Sequence, residues 1–379
     1  MCPPPSGFLV LTFGFSCYLA CSVISSSPVF LHLPTFSAGG TGMDIAASLF
    51  RILLLGLLAM WYLRSGRKAC RWMVLGVGLA YTAGIICSYA PLWFPSAPSA
   101  IMLLGSFLRG FHILLFLFWL DYLVLFEVRF IAMAAAAGYG ISYGIYAIMT
   151  QLSQTAILQS LAVLPLLSAV CLVALPAVSA DRTASPLSSS VLLDSLRYVP
   201  WKQFFGIGLF GIAVPLMMNI TSRNMFNYNA HTVSLLLAAF AILFAVVLWL
   251  PSAKDRTMLL YRLTMPLLIV TTFILYLFQD GNALETIIME ICWVFYRTMA
   301  TTSWCMLTRR SGLSTGFALA MSQLVLTLCT FLRYVVNGVA ATLGWPSITI
   351  LSIVAITVVL VSAFMLSEND YRDVPRSVL

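Results

Sequence analysis

Charge is what this sequence has least of. Only 8% of its 379 residues are Asp, Glu, Lys or Arg, against roughly 25% in a soluble domain. Polar stretches are equally scarce. The longest, around 179–202 and from 367 to the end, are too short to build a water-soluble core of their own. There are three histidines, far apart, and nine scattered cysteines. No CxxC pair or Cys/His cluster has metal-ligand spacing. No phosphate-binding glycine loop, Ser/His/Asp set or glycosidase-like carboxylate pair is present, so neither an enzyme nor a cofactor is expected. The segment before the first apolar run, Met1 to Gly7, carries no Lys or Arg, which argues against a cleaved secretory signal.

What is there is hydrocarbon, 61% of the residues. It is arranged as about 12 apolar runs, each near 20 residues long, which is the length of a helix crossing a bilayer. The predicted spans are 8–30, 44–63, 72–90, 99–126, 130–150, 157–178, 203–220, 233–250, 258–278, 284–307, 312–343 and 347–366. An all-α integral membrane protein follows. It divides into a six-helix half, 1–178, a connector, 179–202, a second six-helix half, 203–366, and a tail, 367–379.

Lys and Arg orient it. With both termini cytoplasmic, 15 of the 20 cationic residues fall on the inner side, among them Arg64, Arg67, Lys68, Arg71, Arg309 and Arg310. The net charge of +8 is then a topological signal toward an anionic inner leaflet, not a nucleic-acid footprint. The plasma membrane (the inner membrane of a bacterium) is the expected location, and the lipid bilayer the first partner.

Ionisable or strongly polar residues inside a span are costly and mark function by default. Span four carries Arg109 and His112, three residues apart, readable as an anion-facing pair or as an arginine snorkelling to the surface. Span ten carries Glu290 and Arg297, nearly on one face and about 10 Å apart along the axis. Each needs either a partner on another helix or a watered cavity. On span eleven Gly316, Gln323, Thr327, Thr330 and Asn337 share a narrow arc with Arg333 on its flank, fitting a cavity-lining helix or interhelical hydrogen bonding. Gly140 and Gly144 on span five suit close helix packing. The candidate solute-binding set is Arg109, His112, Glu290, Arg297, Gln323, Thr327, Arg333 and Asn337.

One loop brings in a family. After span two the chain reads Leu63-Arg64-Ser65-Gly66-Arg67-Lys68, which resembles the Asp-Arg-x-Gly-Arg-Arg/Lys signature of the major facilitator superfamily at Arg64, Gly66, Arg67 and Lys68. Leu63 stands in place of the Asp. Leu104 to Gly110 loosely matches the family's Arg-then-Gly pattern on span four. The resemblance implies two six-helix halves, alternating access to a small-molecule solute, and a gating loop at Arg64, Gly66, Arg67 and Lys68. The chain also resembles the membrane module of bacterial LuxR-type regulators, without their helix-turn-helix domain. That alternative implies a sensor read by a cytoplasmic signalling partner, with no direct nucleic-acid binding.

Overall fold

The structure, a computed structural model, describes residues 5–26, 40–65, 70–94, 96–175, 208, 230–249, 270, 283–310, 315–346, 349, 352–353 and 356–357. Among these, every regular element is a helix. In chain order they are α1 (Pro5–Ser26), α2 (Gly40–Ser65), α3 (Arg71–Ser88), α4 (Ala90–Trp93), α5 (Ser99–Arg109), α6 (His112–Leu123), α7 (Val128–Met149), α8 (Gln154–Ala174), α9 (Ala230–Trp249), α10 (Ala283–Arg310) and α11 (Thr315–Thr342). Seven spans among the described residues are long and apolar enough to cross a membrane, α5 and α6 together forming one of them. The protein is an all-α, multi-pass membrane protein. The expected spans at 203–220, 258–278 and 347–366 lie almost wholly outside the described residues, as do the connector and the tail.

The helices fall into two compact units. One comprises 1–54, 68–181 and 228–250, the other 55–67, 182–227 and 251–379. In the first unit α6 is apolar all round, so it sits at the centre. Its residues Ile113 to Leu120 are all buried. Tyr18 of α1 stacks on Phe116 of α6 at 5.5 Å. Trp119 of α6, fully buried, donates its indole N–H to Ser168 Oγ of α8 at 2.9 Å. That hydrogen bond removes an indole donor that hydrocarbon would leave unsatisfied.

Two helix pairs in this unit pack closely. A Cβ at Gly84 of α3 would lie 2.5 Å from the Arg109 nitrogen, and one at Gly105 of α5 would run into the backbone at Ser88. The two helices approach because neither has a side chain there. Gly140 of α7 behaves likewise, since its Cβ would meet Ile242 of α9 at 2.7 Å. Gly144 has nothing within 4 Å, so close packing rests on Gly140 and not on the pair. His231, at the start of α9, reaches the Ala147 carbonyl near the end of α7, Nδ1 to O 2.9 Å. Pro165 interrupts α8, and Thr82 of α3 donates to the nearby Ala162 carbonyl at 3.0 Å, supporting the ladder that the proline weakens.

Outward surfaces are apolar. Leu49, Leu53, Leu57 and Met60 form one exposed stripe on α2, and Leu328, Leu332, Val335 and Val339 another on α11. Such stripes suit lipid, not water.

Candidate functional site

Span four is not one continuous helix. α5 ends at Arg109, Gly110 and Phe111 turn, and α6 starts at His112. The turn is tightened by i→i+3 bonds, Gly110 N to Phe107 O at 2.8 Å and Phe111 N to Leu108 O at 3.1 Å. Both turn residues keep right-handed helical dihedrals, so Arg109 and His112, three residues apart, stay on one side of the chain across the break. His112 turns back on its own chain, Nδ1 lying 3.0 Å from the Arg109 carbonyl oxygen. A carbonyl only accepts, so Nδ1 carries the hydrogen. The imidazole also lies beside the ring of Tyr81 of α3, with centroids 5.9 Å apart. The Tyr81 hydroxyl accepts from the Cys21 thiol of α1 at 3.1 Å. Arg109 is close enough to act electrostatically on Cys21, Tyr81 and Tyr89. Neither Cys21 nor Tyr81 was singled out from the sequence. The available signal was that Tyr81 falls inside a span, away from the lipid–water boundary.

The second unit holds the other candidates. α10 and α11 are consecutive, packed on one another, and separated by four residues, so they run antiparallel. None of the described side chains of α10 is exposed. Its most open ones include Glu290, Trp293 and Arg297, half-buried on one face. The Arg297 guanidinium lies over the Trp293 ring, Cζ 4.3 Å from the centroid. Its Nε is buried with no hydrogen-bond partner, and so is the hydroxyl of the adjoining Thr298.

On α11 the polar arc turns away from the lipid-facing stripe. Gly316, Gln323 and Thr327 are buried, Gln323 completely. Gly316 faces Tyr62 of α2, whose ring occupies the space where a Cβ would stand. Thr327 donates its hydroxyl to the Gln323 carbonyl at 2.7 Å, and Thr330 donates to the Thr327 carbonyl at 2.9 Å. The two hydroxyls are thus taken up by their own helix. The Gln323 amide is not. Both Oε1 and Nε2 are buried with no partner. Arg333 and Asn337 lie on α11, but their side chains are outside the described residues. Arg64 is exposed in the last turn of α2, whereas Gly66, Arg67 and Lys68 lie outside the described residues. Among the described residues no three His, Cys, Asp or Glu gather as a metal site would require.

No protein-family model matches the sequence, and no curated protein does. The fold nevertheless matches solved structures over nearly its whole length. The human organic anion transporter MFSD10 (TETRAN) superposes with a TM-score of 0.60 at 14% identity, over 96% of this chain and 100% of that one. This is the major facilitator fold. The proton:xylose symporter XylE, bound to 6-bromo-6-deoxy-D-glucose, gives 0.60 at 13% identity, over 98% and 95% of the two chains. FucP in its outward conformation gives 0.60 at 14%, over 94% and 97%. The expected likeness to this superfamily holds at the level of fold. All three structures are transporters, and they lend no support to the LuxR-like sensing alternative or to a signalling partner.

Proposed function

We propose that the chain carries a small polar solute across the plasma membrane by alternating access. Two six-helix halves, 1–178 and 203–366, rock about a site near the bilayer midplane. Both termini lie in the cytoplasm, where the Lys/Arg-rich loops sit, and the Arg64, Gly66, Arg67 and Lys68 loop serves as the inner gate. Arg109, His112, Glu290, Arg297, Gln323, Thr327, Arg333 and Asn337 supply the lining. The named structures handle unlike solutes, an organic anion in one and xylose in another, so the solute has to be read from this chain's own side chains.

The observation that carries the proposal is Gln323. A buried amide with neither its donors nor its acceptor satisfied has no structural reason to stand in an apolar helix, where leucine would pack as well. A solute or water that enters when the path opens gives it partners. The test is flux in vesicles reconstituted with the full chain, against a panel of sugars, carboxylates and amines. Flux above that of empty vesicles, reduced at least tenfold in Gln323→Leu, is expected. No flux for any solute overturns the proposal, and full flux in the variant removes Gln323 from the site.

A further inference from the structure

We propose that Arg297, laid over Trp293, is the anchor for a carboxylate, so that the solute is a small organic acid carried as its anion. This rests on the transport reading for the solute's path, but the binding it asserts is measured separately.

Position excludes the ordinary explanations for a membrane arginine. α10 has 28 residues, about 42 Å at 1.5 Å per residue, and Arg297 stands about 20 Å from either end. A snorkelling side chain cannot cover that distance to the headgroups. A lipid phosphate is excluded by the same distance. Among the described residues no carboxylate pairs with Arg297, and its Nε meets no acceptor. The Nε hydrogen is thus left for an acceptor supplied from elsewhere.

The shape of the group narrows the class. Trp293 covers one face of the guanidinium at 4.3 Å, holding the plane in place by cation–π attraction. The N–H groups point outward in that plane, a fork that matches the two oxygens of a carboxylate. A neutral sugar or an amine lacks the complementary charge.

The experiment uses the purified full-length protein in neutral detergent and reads thermal stabilisation by matched pairs: lactate and lactamide, benzoate and benzamide, nicotinate and nicotinamide. At least one acid is expected to stabilise the protein with an apparent affinity tenfold or more above that of its amide. Arg297→Gln abolishes that preference, and Arg297→Lys, which keeps the charge but loses the fork, retains part of it. Trp293→Leu weakens acid binding several-fold by freeing the guanidinium plane. The inference is overturned if amides bind as well as acids, if Arg297→Gln keeps the preference, if phosphatidylglycerol reproduces the stabilisation, or if no acid in the panel binds. Acid binding without flux keeps this site and removes the transport reading. Flux that ignores solute charge does the reverse.

Discussion

Replacing Gln323 by leucine sets two consequences of one buried amide against each other. In the native chain Oε1 and Nε2 are enclosed without partners, and the residue has no exposed surface. Mutational data put the cost of such an unsatisfied amide at about 1–3 kcal/mol. Leucine has nearly the same volume, so no hole is left, and the shape change costs less than ~1.5 kcal/mol. The backbone carbonyl that accepts from Thr327 is untouched. The balance is a gain of about 1 kcal/mol, which for a chain of this length raises the melting temperature by about 2 °C. Gln323→Ala removes the same polar atoms but leaves a cavity, and cavity formation costs about 2 kcal/mol or more. The expected order in detergent, read by intrinsic fluorescence on heating, is Leu above native above Ala. Flux is expected to fall in both variants. Stability gained while activity is lost is the mark of a polar group held for function. A leucine variant that melts well below the native protein would show that the amide is bonded in the resting state, and the reasoning from orphaned atoms would fail.

Two further outcomes test the packing. Gly105→Ala places a methyl within 2.7 Å of Ser88 Oγ and against the α3 backbone, so about 1–3 kcal/mol of stability is lost, whereas Gly76→Ala, with nothing within 4 Å, is neutral or better on the same melting assay. Trp119→Phe deprives the buried Ser168 hydroxyl of its indole donor. A double-mutant cycle with Ser168→Ala should return a coupling near ~0.6 kcal/mol, and zero coupling would mean that the bond contributes nothing.

The spans were legible where the solvent alone decides the pattern. The run 72–90 is α3, and 130–150 is α7 to within two residues, because hydrocarbon demands an uninterrupted apolar helix of bilayer length. The break at Gly110–Phe111 was not legible. It interrupts an apolar run without changing its hydropathy, and only the local i→i+3 bonds reveal it. Site residues divide in the same way. Gln323 and Arg297 stand out by type, since either is costly in lipid wherever it points. Thr327 spends its hydroxyl hydrogen one turn back on its own helix, which leaves its oxygen to face the lining only as an acceptor, an option open to any membrane threonine and invisible in the sequence. Trp293 was not singled out, although its i, i+4 spacing to Arg297 already placed the two side chains together.

Arg109 and Arg297, both within spans, stand in different surroundings. Arg109 closes a helix, its carbonyl holds His112, and its charge falls among Cys21, Tyr81 and Tyr89. Arg297 has an aromatic face, and its Nε has no hydrogen-bond partner. A fixed carboxylate beside it would remove the cost of the charge but would also occupy the fork, and an incoming anion would have to displace it against a desolvated attraction of several kcal/mol. Leaving the fork empty keeps the charge costly in the resting state and makes that cost part of the affinity for the solute. Release stays easy because Trp293 alone holds the guanidinium when the anion has gone. On the proposed transport reading, a transient anion site needs both properties at one residue, and the surroundings of Arg297 suit them.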